Sequence, residues 1–225
     1  MAAALALGLP ALAIGWAPLE PSAPALSMAS GPGAATPVPS VATALQWTHD
    51  AVGLQALAQL VTAAWTHGSA LHLAANLCGT AVVALLGLAV LRERRRARRA
   101  ACAWLCAWPL TQAGLWLEDG LARFAGASGV LHAGVAVLAV ALLMDGRDRH
   151  RTQAAPSASR EVFQASALGA LLLGGLLLKV VGEAPWALAV VHRPGWDVAL
   201  APLAHATGLV AGATMALAWL GRRRG

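Results

Sequence analysis

The chain has 225 residues, of which 58% are apolar and 12% charged, with a mean hydropathy of +0.64. That balance is too apolar for an ordinary soluble domain and excludes a disordered, charge-rich chain, leaving an integral membrane protein. The net charge of +6 comes from basic runs without interleaved aromatics, which topology accounts for, so nucleic acid is not an expected partner and anionic membrane lipids are.

A helix needs roughly 20 apolar residues to cross the hydrocarbon core. The first candidate is 2–19, interrupted by Pro10 and preceded by no Lys or Arg. It reads as a retained span, with a cleavable signal as the alternative. Residues 20–67 read as an outer loop. Within it, 21–40 is rich in Pro, Ala, Ser and Gly and irregular. The more apolar 41–61 reads as an interfacial helix or membrane-dipping loop. Spans two to six are expected at 71–91, 100–117, 128–144, 163–181 and 198–220, and 221–225 is a basic tail. The expected fold is all-α, one polytopic bundle of six transmembrane helices filling a single domain over 1–225.

Lys and Arg near helix ends mark the cytoplasmic side. Six Arg lie in 92–99, four in 147–160 and three in 222–224, so 13 of the 16 basic residues occupy alternate connections and the tail. The intervening connections hold only Arg123 and Arg193, with Lys179 at the outer end of the fifth span. Both termini are therefore expected in the cytoplasm. Cys78, Cys102 and Cys106 all fall within spans, without metal-ligand spacing, and read as small buried side chains.

This orientation brings four polar stretches to one level near the outer face. They are His67-Gly-Ser-Ala-Leu-His72 with Asn76, Gly126-Ala-Ser128-Gly129, His132 one turn on, and Ala204-His205-Ala-Thr-Gly208. The second span enters near Gly68, which puts His72 about 6 Å and Asn76 about 12 Å down, on one face. A sixth span starting near Val198 puts His205 about 10 Å down. Gly208 and Gly212, four apart, form a small-residue stripe on which the sixth span can approach the fourth. That approach would bring His205 Nε2 to Ser128 Oγ, a general base beside a nucleophile. The Ser128 N–H, Asn76 and His72 are the donors available to an oxyanion. With no Asp or Glu in the spans near His205, the expected arrangement is a dyad in which no carboxylate orients the imidazole. His67 at the membrane edge is expected to tie the outer loop, and His132 to pack against the dyad. A different reading of the same histidines is a metal or ion site lined by His67, His72, His132 and His205. No phosphate loop or heme-type Cys pair is present, so no cofactor is expected.

Taken in order, His67-x-Ser69-x-x-His72-x-x-x-Asn76, Gly126-x-Ser128-Gly129 and Ala204-His205-x-x-Gly208-x-x-x-Gly212 resemble the rhomboid intramembrane serine proteases, over about residues 62–218. The resemblance implies Ser128 as nucleophile, His205 as base, and His72 and Asn76 at the oxyanion. A finer resemblance is to rhombosortases, carried by Ser128-Gly-Val-Leu-His132, Leu178-Lys179-Val-Val-Gly-Glu183 and Trp196-Asp-Val-Ala. It implies a bacterial inner-membrane enzyme acting near the outer face on transmembrane-helix substrates with a glycine-rich C-terminal motif. The chain departs from the rhomboid pattern in two places: Ala58-Gln59 stands near the usual Trp-Arg pair of the first outer loop, and Ala136 stands where many members have glycine. A catalytically inactive rhomboid-like helix binder is the remaining alternative.

Overall fold

A computed structural model of the chain describes residues 41–152 and 156–221; the expected span at 2–19, the loop at 21–40 and the tail at 222–225 lie outside the described residues. The helices are α1 (Val41–Leu45), α2 (Gly53–Thr62), α3 (Ala70–Val90), α4 (Arg94–Ala113), α5 (Ser128–Thr152), α6 (Pro156–Gly182) and α7 (Pro202–Leu220). Two short strands, β1 (Trp47–Thr48) and β2 (Arg123–Phe124), pair antiparallel, and 3-10 turns follow α2 at Ala63–Trp65 and α4 at Gly114–Leu117.

Among the described residues, four helices are long and apolar enough to cross a membrane: Ala70–Val90, Ser128–Asp148, Val162–Gly182 and Pro202–Leu220. The expected span at 100–117 differs. Its helix begins earlier, at Arg94, and carries five Arg in its first two turns, which leaves only a short apolar stretch before the helix tightens at Gly114. Arginine is a good helix former, so the basic run extends the helix instead of ending it. The last helix starts later than expected. Pro202 favours a first-turn position and holds Ala201 extended at φ −103° and ψ 97°, so residues 198–201 are not helical and His205 lies within the first turn.

The central element is α5. Two thirds of its spanning segment is buried (67%), against 17% for α3 and for α6, which turn Leu85, Leu88, Leu171 and Leu178 outward. In a membrane those exposed apolar faces meet lipid. Cys78 is exposed and not buried as expected, while Cys102 and Cys106 are half-buried and all three are free. Helix α5 packs against α4, α6 and α7. On α7, Gly208 and Gly212 lie against the backbone carbonyls of Gly129 and Ala133, where any Cβ would collide with main chain. Small residues allow this approach, and the attraction is close van der Waals contact. Ala136, buried with Leu176 and Val180, points its methyl into the neighbouring seam with α6.

The outer segment is anchored through Gln59. Its side chain is 1% exposed, accepts from the Thr48 N–H at 3.0 Å and donates to the Ala44 carbonyl at 3.5 Å. Thr62 Oγ1 adds a 2.8 Å bond to the Leu45 carbonyl. Meanwhile Leu54 and Leu57 of α2 are exposed. Gln59 and Thr62 thus tie α1, β1 and α2 together. Through the Trp47–Phe124 and Thr48–Arg123 pairs, that unit also fixes the chain leading into Gly126 and Ser128.

Candidate active site

Helices α3, α5 and α7 all begin at the same end of the bundle as that outer ladder, so their first turns share one level. Ser128 is the first residue of α5 and His205 lies in the first turn of α7. Crossing at Gly129 and Gly208 brings the two side chains together: His205 Nε2 lies 3.1 Å from Ser128 Oγ. His205 is 3% exposed. Its other ring nitrogen, Nδ1, lies 2.5 Å from Glu183 Oε2. The expected absence of a carboxylate at His205 is therefore corrected. Glu183 is one residue beyond the end of α6, at the end of the bundle where α7 starts, so a search confined to the spans passes over it.

Glu183 Oε1 accepts a second bond, from Lys179 Nζ at 2.6 Å. Burial works to raise the Glu183 carboxyl, but the His205 imidazole and the Lys179 ammonium outweigh it and bring it down to about 2. Glu183 is thus an anion throughout the neutral range. Lys179 Nζ also lies 3.4 Å from His205 Nδ1.

His132 stacks on the other side of the base. The His132 and His205 rings lie 4.0 Å apart and 12° from parallel, and His132 Nδ1–H donates to the Ser128 carbonyl at 2.6 Å. His132 thus contacts both His205, by stacking, and Ser128, through its carbonyl. The stacking also removes the metal-site geometry, because lone pairs lying in two stacked, nearly parallel rings cannot converge on one ion. Among the described residues, no three His, Cys, Asp or Glu side chains group as metal ligands.

His72 and Asn76 lie one turn apart on α3, and both are buried. Gly126 brings them close to the serine loop. Its φ of +129° is open only to glycine, and a Cβ there would stand 2.6 Å from His72 Cε1 and 3.7 Å from Asn76 Nδ2. The Gly126 N–H is tied to the Ala63 carbonyl at 2.9 Å, which links this approach to the outer segment. Asn76 Nδ2 and His72 Nδ1 have no hydrogen-bond partner among the described residues. The Ser128 N–H, first in its helix, belongs to the donors a helix leaves unused. Asn76 Nδ2 and the His72 ring therefore lie, without hydrogen-bond partners among the described residues, beside the Gly126 turn that leads into Ser128.

His67 is buried and not at an open edge. Its ring packs edge-on against His72 at 5.0 Å, and its Nδ1–H donates to the Trp65 carbonyl at 3.3 Å. Burial, followed by the neighbouring His72, lowers its pKa to about 4, so it is neutral at physiological pH. Ser69 caps α3 by accepting from the His72 N–H at 3.0 Å and donates to Asp197 Oδ1 at 2.7 Å. Asp197 is thereby held over the start of α3.

The Rhomboid domain family model matches residues 54–222, most of the chain. No curated protein and no solved structure matches. The match covers every one of the residues just described, and the chain belongs to the rhomboid family, whose members are membrane proteins and generally serine proteases.

Proposed function

We propose that this rhomboid is an active intramembrane endopeptidase with Ser128 as nucleophile and His205 as general base. The observation that carries the reading is the 3.1 Å contact between His205 Nε2 and Ser128 Oγ at the buried start of two spanning helices. The Ser128 hydroxyl donates to Nε2, loses its proton to it on attacking a substrate carbonyl, and the same proton passes to the leaving amine. Asn76 Nδ2, His72 and the Ser128 N–H stabilise the oxyanion, since unpaired donors in a site of low dielectric are worth most where negative charge develops. Gly126, Gly129, Gly208 and Gly212 set the backbone spacing, and His67 and His132 hold the rings.

The substrate is a protein with a transmembrane helix. Helical backbone in lipid keeps its amides internally bonded, so the segment to be cut must unwind before its carbonyl reaches Ser128. Glycine near the bond makes that unwinding easier. This favours the rhombosortase branch, whose substrates carry a glycine-rich motif, a helix and a basic tail. The basic residues support six spans with both termini in the cytoplasm, and hence a site at the outer face of a bacterial inner membrane. The test is co-expression with a tailed surface protein. Wild type is expected to shorten it and Ser128→Ala to leave it whole; equal processing by both would remove Ser128 from the chemistry.

A further inference from the structure

The proposed dyad leaves Glu183 and Lys179 without a task, although both reach the nitrogen of His205 that faces away from Ser128. We propose that Glu183 is a positioning residue that completes a Ser128–His205–Glu183 triad by selecting the Nδ1–H form of His205 against a competing bond from Lys179. This rests on the reading of Ser128 and His205 as nucleophile and base.

A neutral imidazole carries one proton. To accept from Ser128 at Nε2, His205 must hold its proton on Nδ1. Two groups contend for Nδ1. Glu183 Oε2, at 2.5 Å, only accepts and therefore demands Nδ1–H. Lys179 Nζ, at 3.4 Å, only donates and therefore demands a bare Nδ1, which would put the ring proton on Nε2. In that second form His205 would donate to Ser128 Oγ and could not take its proton. The shorter bond to a charged acceptor prevails, and Glu183 also draws Lys179 toward its own Oε1 at 2.6 Å. When His205 becomes imidazolium after accepting the serine proton at Nε2, the Glu183 anion faces the new charge. The carboxylate takes no proton; it fixes the ring and offsets the charge.

The local build supports a fixed role. Lys179 and Glu183 are four apart at the end of α6, so both point to one side of the helix, and the Glu183 side chain is 14% exposed against 47% for Lys179. Besides these two, the titratable groups facing His205 are His132 of α5, stacked on the ring, and His72 of α3. His132 presents its face to His205 and donates its Nδ1–H elsewhere, so neither substitutes for Glu183 as an acceptor at Nδ1.

Lys179 makes the inference specific. If Glu183 merely filled space, removing Lys179 from a Glu183 variant would not help; if Glu183 selects the ring form, it would. The experiment measures the rate of fluorophosphonate labelling of the full-length protein in detergent, with melting temperature alongside, for wild type, Ser128→Ala, Glu183→Gln, Glu183→Asp and Lys179→Met/Glu183→Gln. Glu183→Gln is expected to slow labelling by up to about 10⁴-fold, the loss seen when the ring-orienting carboxylate of a serine triad becomes an amide. Glu183→Asp, which keeps the charge, is expected between Glu183→Gln and wild type. The double variant is expected to regain at least about tenfold over Glu183→Gln, as the competing donor is gone. Wild-type labelling rates for Glu183→Gln, or equal rates for Glu183→Gln and the double variant, would overturn the inference while leaving Ser128 and His205 in place. No Ser128-dependent labelling in the wild type would overturn the dyad reading itself. If Glu183→Gln lowers the melting temperature, Glu183→Asp decides: slowed labelling at an unchanged melting temperature supports the inference, and labelling at the wild-type rate overturns it.

Discussion

The two sides of Ser128 are built in opposite ways. On the α7 side the polar atoms are engaged: His205 Nε2 meets Ser128 Oγ, and Nδ1 meets Glu183. On the α3 side they are held but unspent, since Asn76 Nδ2 and His72 Nδ1 are buried without partners among the described residues. A buried unpaired donor is costly in a resting protein. It becomes useful where charge appears only during reaction, because preorganised donors then need no rearrangement. On the proposed mechanism, the difference separates a base that must be ready before substrate arrives from an oxyanion pocket that is satisfied only by the transition state. The backbone repeats the contrast. The α5–α7 seam is closed by main chain at Gly129, Gly208 and Gly212, whereas the α3 side meets the serine loop through Gly126, a glycine of positive φ.

The comparison is broken most severely at the seam. Gly208→Val puts a side chain into the Gly129 carbonyl, and since the obstacle is backbone no rotamer relieves it. The expected outcome is loss of folded monodisperse protein in size-exclusion chromatography, with Gly174→Ala, where a Cβ meets nothing, as the harmless control. The next effect is on the open side. Asn76→Ala is expected to lower kcat by about 10²- to 10³-fold, the loss typical of one oxyanion donor, with little change in KM. Because Asn76 Nδ2 makes no bond in the resting protein, its melting temperature should fall little, if at all. A large stability loss with unchanged kcat would make Asn76 a packing residue. Smaller again is Gln59→Ala, which removes the ties to Thr48 and Ala44 and is expected to destabilise by about 1–3 kcal/mol through buried groups left unpaired. Thermal unfolding in detergent reads this. The smallest is Ser69→Ala, expected at about 1 kcal/mol for a lost N-cap. It also frees Asp197, and a substrate assay would show whether that contact affects turnover.

Much of this site is legible in the sequence because membrane helices impose a ruler. Apolar length fixes where α3 and α5 begin, the basic runs fix which ends are level, and Gly208 with Gly212 identifies the face on which α7 meets α5. Ser128, His205, His72 and Asn76 follow from those facts. Glu183 did not follow, since the ruler was applied to residues inside the spans and Glu183 stands just past one. The signal was present in Lys179 and Glu183, four apart at the outer end of a span that runs antiparallel to the next. The role of Gln59 was illegible for another reason. Its partners are backbone atoms of Ala44 and Thr48, and nothing in a side-chain pattern announces a backbone partner. The start of α7 was misplaced because apolarity continues through 198–201, while Pro202 sets the helix start.

The central claim is that Ser128 is an activated nucleophile with His205 as its base. The most direct measurement is mass-spectrometric identification of the residue modified by a fluorophosphonate probe in the purified full-length protein. The account expects a single adduct on Ser128 that Ser128→Ala and His205→Ala both abolish without loss of fold. An unmodified Ser128 in folded wild type, or an adduct that survives His205→Ala at full rate, would contradict it.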